Sequence, residues 1–254
     1  MTHDFIQTSK VTLKTIHRQN PQVYADACFK KRLGKSYKTP YIGRSPEKLW
    51  KGEEDWKYSI NRYCFRGQDW SFKDSIGIFG CSFVFGTGVK KDSATVLAKM
   101  LNENVINMGI PGAGPLHIIK NFASFANLHP MSHAIISLPP KERFFYPDAS
   151  KDGTWTWYSL TPSQDDYIKK VTLPEHLQLS TILDAIDWAN TIAEAKKIKL
   201  IWTSWDYTFG LEDMTDRYFD WGDLSLDVAR DGMHPGPTVI KNFAHRCADM
   251  LNTL

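Results

Sequence analysis

No apolar run in this 254-residue chain is long enough to cross a bilayer; the longest, such as 134–138 and 200–202, fall far short of the ~20 residues that a spanning helix needs. The first residues, Met-Thr-His-Asp-Phe-Ile-Gln, lack the basic stretch followed by an apolar segment that marks a secretory signal, so export by that route is not expected. Cysteine is scarce. Cys28, Cys64, Cys81 and Cys247 are scattered without CxxC or Cys/His ligand spacing, which argues against a zinc site or a disulfide framework and suits a reducing, cytoplasmic setting. Strong charge of one sign is also missing. A formal net charge of +3, with basic residues interspersed among acidic ones, gives no prompt for nucleic-acid binding. Internal repeats and low-complexity tracts are absent too.

What is present is ordinary globular usage, 42% hydrophobic and 23% charged, in a length that fits one α/β domain with decorations. Residues 1–72 mix polar, basic and aromatic residues with little sustained period and read as an irregular N-terminal extension packing on the core. From Ser75 onward short apolar runs alternate with amphipathic stretches, the pattern of βαβ units and a mainly parallel sheet. Strands are expected at 76–79, 104–108, 133–138 and 198–203. Helices are expected over 94–101, 115–128 and 179–195, and a last one follows Pro235, which fits a first helical turn. An aromatic-rich insertion is expected at about 140–175 within a domain of residues 73–254.

In an open parallel sheet the ligand crevice lies beyond the carboxyl ends of the strands, so chemistry-bearing residues just after strands matter most. The first strand exits into Gly80-Cys81-Ser82-Phe83, where small residues permit a tight turn and a serine hydroxyl meets exposed backbone N–H groups. A lone glycine-rich turn with serine is more often structural or a phosphate cradle, although this one lacks a P-loop lysine. The second strand ends in another glycine-rich loop, 107–114, which taken alone reads as a βα turn. Near the C-terminus Asp231-Gly232-Met233-His234-Pro235 holds a histidine on a loop, with an aspartate three residues earlier able to fold back and orient its imidazole. The competing reading of that aspartate is a helix N-cap.

Taken in order, GCSF, NMGIPG and DGMHP resemble blocks I, II and V of the SGNH/GDSL hydrolases, and Asn61 to Gly67 resembles the N-x-x-G-F-R-G segment of one branch, with Cys64 replacing its first glycine. The resemblance spans about residues 61–252 and implies a flavodoxin-like three-layer α/β/α sandwich, no cofactor, no metal, and hydrolysis of carboxylic esters. By motif, Ser82 is the nucleophile, its own N–H and that of Gly112 form the oxyanion hole, and Asp231 orients His234. The family's block III asparagine is replaced: Lys141 stands about where it is expected, in Ser137-Leu138-Pro139-Pro140-Lys141. Losing an oxyanion donor typically costs ~10²–10³ in rate. Lys141 or Arg143 either substitutes for it or is an ordinary ion-paired side chain. Cys81, where many relatives have aspartate, reads as a small buried residue rather than a rival nucleophile.

Aromatic residues at 144–146 and 155–158, with Trp202, Trp205 and Asp206, either border the crevice as a sugar platform or pack the core. Arg66 and Arg143 stand as anion contacts or surface ion pairs. The expectation is an esterase acting on a small-molecule or carbohydrate ester, with Lys141, Arg143 and Trp205 touching substrate. The alternative is a catalytically degenerate SGNH-fold protein that binds a glycan or serves an assembly.

Overall fold

Short runs of Ile, Phe, Met and Leu, apolar at nearly every position rather than at alternate ones, belong to strands covered on both faces. In the computed structural model, which describes residues 65–68, 73–141, 175–205, 209–229 and 234–253, such runs form β1 (Ile76–Gly80), β2 (Val105–Gly109), β3 (His133–Leu138) and β4 (Lys199–Ser204). A short β5 (Tyr218–Asp220) completes a five-stranded sheet in the order β2-β1-β3-β4-β5 with every pairing parallel. β5 was not expected: its three half-buried residues, Tyr-Phe-Asp, make no apolar run.

Parallel neighbours need crossovers, and crossovers are right-handed. The chain therefore lays α2 (Ser93–Leu101), between β1 and β2, on one face. It lays α3 (Pro115–Leu128) and α4 (Glu175–Lys196), which move the chain the other way across the sheet, on the opposite face. α2 packs with the C-terminal α6 (Pro237–Asn252), and α3 packs with α4. This is the expected α/β sandwich. A one-turn α1 (Ser82–Phe85) follows β1, and a one-turn α5 (Leu211–Met214) precedes β5. Because β1 pairs with β2 on one side and β3 on the other, consecutive connections leave β1 in opposite directions. That is the topological switch point, and open α/β sheets bind their ligands there, beyond the carboxyl ends of the strands.

One expectation is corrected. The last helix does follow Pro235, but Pro235 is not in its first turn: α6 begins at Pro237 with Gly236 as its N-cap, and Pro235 pairs with Val228 in an isolated antiparallel bridge. Either proline suits a first helical turn, and a tertiary contact described below selects the second.

Between sheet and helices, Phe79 meets Phe122 and Phe125 edge-on, at centroid distances of 5.5 and 6.1 Å. Trp202 is core, and its Nε1 donates to Asn190 Oδ1 at 3.0 Å. The expected extension before residue 65 and the aromatic residues at 144–146 and 155–158 lie outside the described residues. Among the described residues no helix is long and apolar enough to cross a membrane.

His117, buried in the first turns of α3, is strongly perturbed by this packing. Desolvation, with a smaller push from the Lys120 charge, lowers its pKa from 6.5 to about 3. An unfolded His117 binds its proton across that interval while the folded one refuses it, so stability is complete above 6.5 and falls as the pH drops towards 3. We expect urea midpoints measured from pH 6 to pH 4 to show a His117 share of roughly 1 kcal/mol per pH unit. His117→Gln should flatten the slope by that amount.

Candidate active site

At the exit of β1 the chain turns sharply. Cys81 is extended, and α1 starts at Ser82, with Phe85 N–H donating to Cys81 O at 3.0 Å and Gly86 N–H to Ser82 O at 3.0 Å. A first helical turn leaves its leading amides without intrahelical acceptors, here those of Ser82, Phe83 and Val84. The turn lies hard against β2: a Cβ on Gly109 would stand 2.2 Å from the Phe85 nitrogen, so only glycine fits there. Ser82 is 6% exposed. Cys81 is fully buried as a free thiol, as expected of a small core residue.

The turn is held from behind by charge. Arg66, expected either to greet an anionic substrate or to pair at the surface, is instead buried. Its guanidinium donates to the carbonyls of Phe85 (3.1 Å), Gly86, Val89 (2.8 Å) and Lys90 (2.7 Å), and Nε pairs with Asp92 Oδ2 at 3.2 Å. Asp92 also caps α2 by accepting from Thr95 N–H at 3.1 Å and from the Thr95 hydroxyl at 2.8 Å. Asn107 joins the cluster from β2. Its amide donates to Val84 O and to Asp92 Oδ1, both at 2.9 Å, and its Oδ1 accepts from Gly109 N–H at 2.8 Å. Arg66 and the Asn107 amide thus hold the Ser82 turn and the loop after it, while Asp92 ties them to the start of α2 and Asn107 Oδ1 ties them to the end of β2.

Beside that turn, 110–113 closes with Ala113 N–H donating to Ile110 O at 2.9 Å, and Gly112 sits at φ +80. Proline second and a positive φ third define a type II turn. Pro111 has no N–H, Ile110 N–H is taken by Gly80 O at 2.8 Å, and Ala113 N–H closes the turn, which leaves Gly112 N–H as its remaining donor.

His234 arrives from the other end of the sequence on a strap joining β5 to α6. At the strap's start, Asp220 pairs with Arg246 of α6, and Trp221 stacks on Phe243 (3.8 Å, 14°) while its Nε1 donates to Ser137 Oγ at 2.8 Å. At its end, Asp227 accepts from the first amides of α6, Thr238 N–H at 2.7 Å and Val239 N–H at 3.1 Å. A carboxylate nine residues before the N-cap therefore caps the helix, in keeping with the dipole. It fills the space where a Cβ on Gly236 would stand 2.4 Å from Asp227 Cγ, and this is what sets α6 to begin at Pro237. Ala229 N–H donates to His234 O at 2.8 Å, so the segment between leaves and returns through a pinned base. Asp231 lies within that segment, outside the described residues.

The histidine comes back to the Ser82 turn. Its ring meets that of Phe83 edge-on, with centroids 5.9 Å apart. Phe83 is also stacked on Trp205 at 4.3 Å and edge-on to Trp221 at 5.4 Å. Ser82, Gly112, Trp205 and His234 thus all belong to segments that leave the carboxyl ends of the strands, and Lys141 sits in the turn after β3, partly buried. Arg143 and Asp206 lie outside the described residues. Asp227, Asp92 and Trp221 were not read from the sequence as part of this region, and Asn107 was read only as the start of the second glycine-rich loop, without its side-chain hydrogen bonds. Among the described residues no group of three or more His, Cys, Asp or Glu side chains is arranged to hold a metal ion.

No family model and no curated protein matches the chain. Solved structures do resemble it. A protein from Desulfitobacterium hafniense, described as lipolytic and of the G-D-S-L family, aligns at a TM-score of 0.47 and 16% identity, over 70% of this chain and 99% of that one. The aryl esterase of M. smegmatis aligns at 0.47 and 13%, over 72% and 100%. An acetyl xylan esterase from Butyrivibrio proteoclasticus aligns at 0.48 and 18%, over 74% of this chain and 65% of that longer one. These neighbours are described as G-D-S-L family and esterase proteins.

Two substitutions test the scaffold. Arg66→Ala leaves the Asp92 carboxylate buried without its cation and should lower stability by ~3–5 kcal/mol in denaturant titrations, with Arg66→Lys recovering only part because an ammonium has too few donors for five acceptors. Asp227→Ala removes the cap of α6 and should cost about 1–2 kcal/mol by the same measurement.

Proposed function

We propose that the chain is a serine-dependent acyl-ester hydrolase of the SGNH/GDSL type, with Ser82 as nucleophile, His234 as general base and Asp231 as the carboxylate that orients His234. The observation that carries this reading is the meeting of two sequence-distant motifs at the switch point: the imidazole of His234 lies against Phe83, the residue next to Ser82, on a turn whose leading amides face no helical acceptor. His234 takes the Ser82 proton as Oγ attacks the ester carbonyl, and the developing oxyanion is received by the N–H groups of Ser82 and Gly112. His234 then protonates the departing alkoxide, and water, deprotonated by the same imidazole, releases the acid from the acyl-enzyme.

Lys141, in the turn after β3, stands ready to supply the charge stabilisation that block III asparagine gives elsewhere. Trp205, only partly buried and with one face taken by Phe83, offers the platform for the apolar face of an acylated sugar. Arg143 is the second candidate for contact with substrate. The buried thiols of Cys81 and Cys247 suit work in a reducing compartment.

A fluorophosphonate probe tests the reading without knowledge of the substrate. Labelling should map to Ser82 by peptide mass spectrometry, vanish in Ser82→Ala and fall by roughly 10³-fold or more in His234→Ala. Asp231→Asn should lower turnover of p-nitrophenyl acetate by ~10³–10⁴-fold. A folded protein that never labels at Ser82 overturns the hydrolase assignment in favour of a glycan-binding role for the same crevice.

A further inference from the structure

A histidine on a loop has two free side-chain torsions, and a general base works only when its ring nitrogen is held on line with the nucleophile. Rate is steep in that geometry: a misplacement of about 1 Å costs on the order of a hundredfold. The ring of Phe83 lies at 72° to the imidazole of His234, with centroids 5.9 Å apart, so a flat wall stands beside the histidine. That wall is itself immobilised. Phe83 is stacked on Trp205 (4.3 Å, 18°) and edge-on to Trp221 (5.4 Å, 74°). Trp221 is in turn stacked on Phe243 and hydrogen-bonded to Ser137 Oγ at 2.8 Å. Besides His234, three rings from three segments (Trp205 after β4, Trp221 on the strap and Phe243 on α6) therefore meet on Phe83 or one ring beyond it, and the last of them belongs to the helix that His234 precedes. Phe83 also follows Ser82 directly in the same one-turn helix, so a shift of the turn moves nucleophile and wall together.

We propose that Phe83 is a positioning residue for His234, fixing the imidazole plane so that base and nucleophile keep their register. The inference rests on the Ser82–His234 reading above. An apolar side chain in this place is not only filler, because an aliphatic group of similar volume would fill the space without offering a flat face.

The test compares Phe83→Leu and Phe83→Tyr, each also made in a His234→Ala background, using the fluorophosphonate labelling rate and the kcat and KM for p-nitrophenyl acetate. Phe83→Leu should lower kcat and the labelling rate by about tenfold to a hundredfold with little change in KM, and Phe83→Tyr, which keeps the flat face, should restore most of the rate. In the His234→Ala background the same change should have almost no further effect, because the residue acts through the imidazole. The His234 ring-proton resonances should also move towards unstructured positions in Phe83→Leu as the ring current is lost, a readout that does not depend on turnover. Should Phe83→Leu fail to fold, Phe83→Met takes its place. A loss of equal size with and without His234, or unchanged His234 resonances, overturns the positioning role while leaving the hydrolase reading intact. A wild-type protein that does not label at Ser82 overturns both.

Discussion

Taking a guanidinium and a carboxylate out of water costs several kcal/mol each, and the loss is recovered only when the geometry is good and every remaining donor and acceptor is used. The Arg66–Asp92 pair meets that condition by binding things that matter elsewhere. Arg66 spends its remaining donors on four carbonyls of the loop that follows Ser82, and Asp92 spends its lone pairs on Thr95 and Asn107. The turn after β1 cannot drift without leaving one of these buried groups unpaired. The positions of the Ser82 hydroxyl, the amides beside it and the start of α2 all follow from that constraint.

The segment that carries His234 is organised differently. Around His234 the strap is fastened by an ion pair and a carboxylate cap to α6, by an indole hydrogen bond to β3, and by a two-residue bridge within itself. Rings rather than charges fill the space between strap and turn. Aromatic contact holds orientation without adding fixed charge beside the proposed Ser82–His234 pair, and Ser82 is nearly buried.

Most of the sandwich was legible from short apolar runs and amphipathic stretches, because a strand covered on both faces and a helix with one sheet-facing side leave period signals that chemistry alone imposes. The strands at 76–80, 105–109, 133–138 and 199–204 lie within a residue of expectation, and Pro115 marks the start of α3 as a proline in a first turn should. What escaped was non-local. Asp227 reads as one more loop carboxylate until α6 folds back against it, and no local rule chooses Pro237 over Pro235. Arg66 looks like a surface cation because burial of a charge is visible only with its partner in place. Phe83 reads as ordinary core, since nothing in the sequence says which rings will surround it, and β5 carries too few apolar residues to announce an edge strand.

Phe65 and Arg66 precede the first strand, yet one is part of the hydrophobic core and the other closes its buried charge cluster. The modular unit is therefore not the sheet with its helices. A fragment cut just before β1 would contain every strand and all three motifs that suggested the chemistry, but it would enclose a carboxylate with no counter-cation. Grafting the Ser82 turn onto another framework would require carrying over a dipeptide that lies outside the sheet and its helices.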